Sequence, residues 1–465
     1  MSGEKAIFKK IERHKTMIKD TLHLRAPGNW INDPNGFIYY KGKYHLFYQY
    51  FPYAPIWGTM HWGHAVSEDL VHWEHQGVAL FPSKEYDRNG VFSGSAIEVD
   101  GKLHLYYSAV QYLRQDPENI HQSLGDSYLT SQAMLVSEDG EKFDNWDHKR
   151  QIVPVIADCA FGDAKDTRDP KVWKDGSDYY MILGSTWYKE QGRVLFYTSK
   201  DARNWKYRNQ CRIQEMGSVM ECPDLFCLDG QYIFVGSPME LINDGIDYSA
   251  HAIWVRADFN CRTCALELTD SYHYIDYGLD FYAPQTTLDS EGRRVIIGWM
   301  RMPQAVEESS DSRGTWNGMM SIPRLVEIGV GHLYFPIHPS VDAFYTKDVT
   351  GKRRGRNHVV TRKGPYRIKA RLQEGQSLDI GGYQIWMEKG AIKTDRSRVF
   401  CNISNHRLTA ETPKVGGDCR LDIFVDVNLI EIFVNNGEYV ISHVVYGLGD
   451  SVDGEIDGIF VGIGA

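Results

Sequence analysis

The chain has 465 residues, of which 42% are hydrophobic and 13% aromatic, and its formal net charge at pH 7 is −10. This length allows a sizeable core and more than one domain. The acidic balance argues against nucleic acid or an anionic membrane as the main partner, and it favours a small, neutral ligand.

The first 21 residues are charged throughout and precede the first strand-like segment. Apolar residues at Ala6, Ile7 and Ile11, together with Met17–Ile18, fit one face of a short amphipathic helix. We therefore expect a helical extension over residues 1–21. Because the sequence shows neither the apolar core of a signal peptide nor a bilayer-length apolar stretch, we expect a cytoplasmic protein without membrane association.

One sequence unit recurs five times between residues 22 and 335. Each copy is a glycine followed by a strand rich in Tyr, Phe, Leu and Ile, and the glycines are Gly42, Gly101, Gly176, Gly230 and Gly292. A second unit recurs between these copies, with its aspartate at Asp69, Asp139, Asp201 and, more faintly, Asp258. Periods of this length, filled with short strands and turns, are typical of propeller blades. The sequence predicts an all-β fold in which residues 22–335 form a five-bladed β-propeller.

Three acidic residues precede repeat glycines at similar distances. Asp33, Asp169 and Glu221 lie nine, seven and nine residues before the glycine of their own copy. In a radial arrangement such positions converge on the central axis, so we expect the three carboxyl groups to meet. Cleavage of a glycosidic bond requires paired carboxyl groups, one as acid and one as nucleophile or base. Taken singly, each residue is explained by a turn or a surface charge, but together they predict an active site.

After residue 335 the repeat ends and short segments of alternating apolar and polar residues follow. The segments that predict strands include Tyr366–Leu372, Val399–Ile403, Cys419–Val425 and Leu429–Val434. We expect a C-terminal β-sandwich over residues 336–465, which supports the first domain or mediates assembly.

Eight cysteines are spaced irregularly along the chain. Cys261 and Cys264 form a single CxxC motif without a second pair or a histidine at zinc spacing. We therefore expect free thiols and no bound metal.

Five motifs, in this order and spacing, carry a resemblance to a known family: WINDPNG from Trp30, FSGS from Phe92, RDP from Arg168, EC from Glu221 and DFYAPQ from Asp280. They resemble glycoside hydrolase family 32, the β-fructofuranosidases, and the resemblance extends over both predicted domains. It implies that Asp33 is the nucleophile, Glu221 the general acid/base and Asp169 the stabiliser of the transition state. The residues implied to line the fructose pocket are Asn32, Gln49, Trp57, Phe92, Ser93, Arg168, Tyr282 and Trp299.

The resemblance implies release of fructose from sucrose and short β-fructosides, with retention, through a covalent fructosyl–Asp33 intermediate and without a cofactor. The chain departs from the family pattern at Phe51, where Asn is common. It also carries Trp57 and Met60 where sucrose-6-phosphate hydrolases often have His and Lys. Without those cations, a phosphorylated substrate is less favoured.

Several alternatives stay open on the sequence. Hydrolysis of sucrose-6-phosphate is the first, and an inverting propeller enzyme active on arabinan or xylan is another. A sugar-binding propeller protein without catalysis belongs to a different class. The expected partner is a small saccharide, with no nucleic acid or membrane. Preference for chain length or linkage, transfructosylation and assembly into a homo-oligomer are not fixed by the sequence.

Overall fold

The computed structural model describes residues 18–242, 245, 250–278, 280–309, 312–350, 357–359, 364–400, 403 and 405–462. This part of the chain is nearly all β. Its helical elements are helix α1 (Pro339–Phe344) and two 3-10 turns, Glu85–Asp87 and Ser397–Val399. None of the described helices is long and apolar enough to cross a membrane.

Five sheets follow one another through the first two thirds of the chain, and their strands pair antiparallel except for one parallel pair in the first sheet. The first begins with strands β1 to β5: Lys19–Thr21, Asn29–Tyr40, Lys43–Phe51, His61–Ser67 and His72–Leu80. The second contains β6 to β9: Gly90–Val99, Lys102–Tyr112, Tyr128–Ser137 and Lys149–Val153. The third contains β10 to β13: Arg168–Asp175, Asp178–Trp187, Gln191–Ser199 and Lys206–Arg212. The fourth contains β14 to β18: Val219–Leu228, Gln231–Met239, Ile253–Asn260, Ala265–Leu268 and His273–Tyr274.

The fifth sheet packs against the first, and the last strands of this region also return to the first sheet. Strands β19 to β24 are Phe281–Leu288, Arg294–Met300, Val306–Glu308, Gly314–Asn317, Met319–Met320 and Arg324–Leu325. Of these, β19, β20, β23 and β24 form the fifth sheet, whereas β21 and β22 return to the first sheet, where β22 pairs in parallel with β2. The strand before each repeat glycine is β2, β6, β10, β14 or β19, and we call these five the first strands of their sheets, although β1 precedes β2 in the chain. The first strands pack in a closed order, β2 on β6, β6 on β10, β10 on β14, β14 on β19 and β19 on β2.

The repeat glycines form the hairpin turns between the first and second strands of the five sheets. All five have positive φ; for Gly42, Gly101 and Gly230 the values are 83°, 77° and 84°. The residues before these three also have positive φ, so the turns have the two left-handed residues of a type I′ turn. The prediction that each repeat glycine is followed by a strand is confirmed.

The second repeat unit also closes turns, although one of its members differs from the prediction. Asp69, Asp139 and Asp201 each accept two backbone N–H groups with one carboxylate oxygen. The fourth turn is closed in the same way by Asn260. Asp258 instead lies within β16. The assignment to Asp258 is wrong, because asparagine supplies the same side-chain oxygen two residues later.

The predicted helical extension over residues 1–21 lies mostly outside the described residues, which begin at residue 18. Its last three residues, Lys19–Thr21, form β1 and pair with β5. Asp20 is buried there, and it accepts hydrogen bonds from Arg25 Nε at 3.0 Å and Arg313 Nη2 at 2.7 Å. These ion pairs fix Asp20 in the sheet, so this part of the helix prediction is wrong.

The C-terminal region forms a hairpin and two six-stranded sheets. The strands after the fifth sheet, β25 to β31, are Glu327–Ile328, Leu333–Tyr334, Lys347–Asp348, Asn357–Val359, Tyr366–Gln373, Ser377–Ile380 and Tyr383–Glu388. Strands β32 to β38 are Ala391–Asp395, Thr409–Glu411, Asp418–Asp426, Leu429–Val434, Tyr439–Val444, Ser451–Asp453 and Gly458–Val461. Side chains from both six-stranded sheets meet in one buried apolar cluster.

Three of the four C-terminal strand predictions are confirmed as β29, β34 and β35. The strand predicted over Val399–Ile403 lies partly outside the described residues. Its described start is wrong, because Val399 ends a 3-10 turn in which its N–H donates to the carbonyl of Arg396. The Arg396 side chain is buried and ion-paired with Asp280, which follows the fourth sheet. This contact ties the turn to the N-terminal region.

A buried ionic cluster joins the two regions of the molecule. Glu431 accepts hydrogen bonds from Arg324 Nη2 at 2.6 Å and from the Ile322 N–H at 2.8 Å, and it contacts His23 Nε2 at 3.0 Å. Burial alone would lower the pKa of His23, but the contacts with Asp426 and Glu431 outweigh it and raise this pKa to about 9. The glutamate therefore links the start of the chain, the end of the fifth sheet and the C-terminal region.

We expect Glu431→Gln to lower the free energy of unfolding by about 3 kcal/mol, because Arg324 and His23 would lose a buried counter-charge. Urea unfolding at pH 7 measures the change. As a control, Glu74→Gln removes the solvent-accessible pair with Lys19, in which the lysine is exposed and the glutamate half-buried, and should change stability by less than about 1 kcal/mol. Equal effects of the two substitutions would contradict a stabilising role for the buried cluster.

Candidate active site

Every first strand of the five sheets carries a β-bulge near its N-terminal end. The register shifts between Ile31 and Pro34, Val91 and Gly94, Arg168 and Lys171, Glu221 and Asp224, and Tyr282 and Gln285. A bulge inserts an extra residue and re-aims the neighbouring side chains. Because the five strands pack in a closed order, their bulges gather these side chains at one end of the arrangement.

The three acids lie at the bulges but do not occupy equivalent positions. In β2, Asp33 lies two residues after Ile31, the last regularly paired residue before the bulge. In β10, Asp169 lies one residue after the corresponding residue, Arg168. In β14, Glu221 is itself the last regularly paired residue. The equal nine-residue offset of Asp33 and Glu221 is therefore misleading. It arises in part because β2 has a further register shift before its hairpin turn. The expectation that the three carboxyl groups come together nevertheless agrees with the contacts described below, in which Cys222 touches both aspartates and Arg168 touches Glu221.

Three side chains from two sheets fix the carboxylate of Asp33. Ser93 Oγ donates at 2.5 Å and Gln49 Nε2 at 3.1 Å to one oxygen, while Asn32 Nδ2 donates at 3.2 Å to the other. Asn32 is itself held by Trp30 Nε1 at 2.9 Å. Burial raises the pKa of Asp33 to about 6; the charge of Glu221 adds to this effect, whereas the hydrogen bonds from Ser93 and Asn32 oppose it. The carboxylate is thus oriented before any substrate arrives.

Asp169 is buried and has a left-handed backbone, with φ of 63°. The backbone N–H of Cys222 donates to its Oδ2 at 2.9 Å, and its own N–H donates to Ser108 Oγ at 2.8 Å. The Cys222 thiol lies 3.6 Å from Asp169 Oδ2 and 3.8 Å from Asp33 Oδ2. Burial raises the pKa of Asp169 to about 7; Arg168 opposes the shift, and the charges of Glu221 and Asp33 reinforce it.

Glu221 is held on both carboxylate oxygens. Arg168 Nε donates to Oε1 at 3.1 Å, and Tyr282 Oη donates to Oε2 at 2.6 Å. Arg168 also donates to Asp166 at 2.7 Å, which fixes the direction of the guanidinium. The guanidinium of Arg168 therefore lies beside the acidic group and contacts Glu221 directly.

The predicted pocket residues divide into two groups. Those that touch the acids directly are Asn32, Gln49, Ser93, Arg168 and Tyr282. Trp57, Phe92 and Trp299 surround these contacts without a hydrogen bond to an acid. Trp57 meets Phe92 edge to face, with ring centroids 5.6 Å apart, and Trp299 meets Trp30 in the same manner at 5.9 Å.

Two buried polar atoms in this group have no hydrogen-bond partner among the described residues: Trp299 Nε1, a donor, and Gln49 Oε1, an acceptor. Buried polar atoms are nearly always paired, and an exception calls for a functional explanation. A donor and an acceptor beside a carboxylate are the groups that hold sugar hydroxyls in place.

Four contacting residues are missed by the sequence analysis: Trp30, Ser108, Asp166 and Cys222. Trp30 and Cys222 lie within the motifs WINDPNG and EC, so their places in these motifs were a usable signal. Ser108 lies on the second strand of its sheet and Asp166 on a loop, and neither belongs to any motif. Their contacts with the site depend on packing between sheets.

The fixed carboxylates of Asp33 and Asp169, a third acid held by Arg168 and Tyr282, and unpaired groups suited to sugar hydroxyls are the features of a glycoside hydrolase. The family description "Glycosyl hydrolases family 32 N-terminal domain" matches residues 23–335, and "Glycosyl hydrolases family 32 C terminal" matches residues 367–459. The chain therefore belongs to glycosyl hydrolase family 32.

Relatives and solved structures agree with this assignment. The chain is 30% identical to a sucrose-6-phosphate hydrolase of Escherichia coli over 471 residues, covering 96% of this chain and 93% of the relative. A Salmonella typhimurium sucrose-6-phosphate hydrolase is 32% identical, with 89% and 85% covered. Among structures, the Bombyx mori GH32 beta-fructofuranosidase has a TM-score of 0.75 at 28% identity, with 98% and 95% of the two chains covered.

We expect Asp169→Asn to stabilise the protein at pH 8. The pKa of Asp169 is raised in the folded state, so folding favours the protonated form, and stability falls as pH rises from about 4 through about 7. Removing the charge should add roughly 2 kcal/mol to the free energy of unfolding at pH 8 and little at pH 4. Urea unfolding at both values tests this, with the exposed Asp147→Asn as control. A destabilised variant at pH 8 would contradict the inferred crowding.

Proposed function

We propose that this protein is a retaining β-fructofuranosidase that releases fructose from sucrose and short β-fructosides. The observation that carries the proposal is the fixed carboxylate of Asp33, oriented by three donors near a glutamate held by Arg168 and Tyr282. Structures of the Bombyx mori enzyme include an Asp-to-Ala variant in complex with sucrose, at 27% identity and a TM-score of 0.75. That similarity supports sucrose as a substrate.

In this proposal Asp33 is the nucleophile. Its carboxylate attacks the anomeric carbon of fructose, a bond forms to the aspartate oxygen, and the glycosidic bond breaks. Glu221 gives its proton to the leaving oxygen, and it then takes a proton from the water that releases fructose from Asp33. Ser93, Gln49 and Asn32 hold the attacking carboxylate in one orientation, which lowers the entropic part of the barrier.

Asp169 acts in this proposal through the sugar and does not form a bond to it. Its carboxyl group lies beside Cys222 and accepts a backbone N–H, so it is fixed close to Asp33. Hydrogen bonds to fructose hydroxyls that strengthen in the transition state lower the barrier. Trp299 Nε1 and Gln49 Oε1 are suited to the remaining hydroxyls, and Trp57 and Phe92 form the wall of the pocket.

The fold proposed for this function is a five-bladed β-propeller over residues 22–335 followed by a β-sandwich over residues 336–465. The closed packing order of β2, β6, β10, β14 and β19 supports the propeller, and the apolar cluster shared by the two six-stranded sheets supports the sandwich. A cytoplasmic location stays a prediction from the charged N-terminus, and the oligomeric state stays open.

Sucrose-6-phosphate is the second candidate substrate, favoured by the names of the Escherichia coli and Salmonella typhimurium relatives. The side chains that line this part of the pocket argue against it. Met60 is buried and Trp57 is half-exposed, so neither position offers a cation to a phosphate group. A phosphate requires charge-assisted donors to offset the loss of its hydration.

We expect Asp33→Ala and Glu221→Ala each to lower kcat on sucrose by roughly three orders of magnitude or more, because each removes a group that acts in the transition state. Initial-rate measurements of fructose release test this, with Asp147→Ala as a control that should retain full activity. Circular dichroism checks that both variants stay folded. Near-normal turnover by either folded variant would refute its assigned role.

A further inference from the structure

A cavity of about 820 Å³ opens on the side of the molecule that carries the bulges. Loops from the first two sheets surround it: the loop after β3, the end of β5, the segment before β6 and the loop after β7. The bulge of β6 begins two residues after Gly90, the first residue of that strand. The cavity therefore lies at the same end of the strands as the three acids. Its volume is within the range of about 300–1,000 Å³ that is usual for small-molecule sites.

A wall of buried apolar side chains adjoins this cavity and also Ser93, which contacts Asp33. Phe51, Met60 and Phe92 form one buried cluster, and Trp57 meets Phe92 edge to face. On the outer side of this wall, Phe51 contacts His121 with ring centroids 4.9 Å apart. The wall is thus shared: Phe92 faces the proposed fructose pocket, and Phe51 backs the outer cavity.

The lining of the cavity combines a ring surface with hydrogen-bonding groups. Tyr53 is 64% exposed and stacks on His121 at 5.4 Å. His121 Nδ1 forms a hydrogen bond with Thr59 Oγ1, and His61 Nδ1 forms one with the Thr59 carbonyl. These bonds fix both rings, whereas Nε2 of each ring makes no hydrogen bond to a described residue. Arg88, Asn89 and Gln115 add polar groups, and none of the described lining residues is acidic.

This combination fits a sugar. The C–H face of a sugar ring packs on an exposed aromatic ring. Its hydroxyls accept hydrogen bonds from guanidinium and amide N–H groups, and they donate to amide oxygens and to an unprotonated imidazole nitrogen. We propose that this cavity binds the distal sugar residues of an oligosaccharide leaving group. A trisaccharide or longer β-fructoside, with its terminal fructose at Asp33, extends past Trp57 to Tyr53, whereas the shorter sucrose does not reach it. The inference rests on the proposed function and adds a preference for chain length to it.

The test compares the tetrasaccharide nystose with sucrose as substrates of the full-length enzyme and of Tyr53→Ala. The exposed Tyr53 ring can be removed without opening a core cavity. We expect kcat/KM for nystose to fall about fivefold to tenfold, mainly through KM, and kcat/KM for sucrose to change less than about twofold. Gln115→Ala should show the same selectivity. Tyr188→Ala, which removes a similarly exposed tyrosine from the third sheet, serves as the matched control.

Two results for Tyr53→Ala would overturn the inference: an unchanged kcat/KM for nystose, or equal losses of kcat/KM for nystose and sucrose. A third would be a selective loss of kcat/KM for sucrose-6-phosphate in Arg88→Ala, which would make the cavity a phosphate site. Calorimetric titration of nystose into Asp33→Asn and into the Asp33→Asn, Tyr53→Ala double variant gives a readout independent of turnover. If the wild-type enzyme released no fructose, the proposed function would fail, and the titration would still decide whether Tyr53 contributes to binding.

Discussion

The central constraint on this structure is that three carboxyl groups crowd into one site, where only the surrounding fold can hold them. The pKa of Asp33 is raised to about 6 and that of Asp169 to about 7, chiefly by burial, with repulsion from neighbouring acids added. Arg168 is the cation that contacts the group directly, and it lies against Glu221. Such an arrangement persists only where the surrounding fold holds it, since each raised pKa reflects free energy lost at neutral pH.

The fold supplies that support through closure. The first strands of the five sheets pack in a closed order, and the returning strand β22 pairs beside β2, so the strand that carries Asp33 has neighbours on both sides. The buried cluster around Glu431 then joins the start of the chain to the C-terminal region. Strands held in this manner are suited to a site whose function requires precise orientation, and loops would position the same side chains less accurately.

The sequence predicts the local elements well because turns and strand patterns are encoded locally. The five repeat glycines lie in hairpin turns, and the three acids that precede them at similar distances do come together. The equal offsets of Asp33 and Glu221 nevertheless do not mark equivalent positions in their strands, because the register shift in β2 cannot be read from sequence spacing. Asn260 takes the place of an expected aspartate in the fourth turn. The repeated turn therefore requires a side-chain oxygen that accepts backbone N–H groups, and either residue type supplies it.

What the sequence could not predict depends on contacts between distant segments. The Cys222 thiol lies between two aspartates, and Ser108 supports Asp169 from a neighbouring sheet; neither position follows from periodicity. Lys19–Thr21 is a strand because Asp20 meets Arg25 and Arg313, a partner nearly 300 residues away. The turn at Ser397–Val399 replaces a predicted strand where the adjacent Arg396 reaches Asp280. At Asp20 and at Arg396, a buried charge decided the local structure over the apolar pattern.

The central claim is that Asp33 forms a bond to the sugar. The most direct measurement is mass spectrometry of Glu221→Gln incubated with β-fructosyl fluoride, whose leaving group needs no acid, so that the first step proceeds and the second is slowed. The account predicts that the protein gains the mass of one fructosyl unit, located by digestion on the peptide that contains Asp33. An adduct on Asp169, or fluoride release without any adduct, would contradict it.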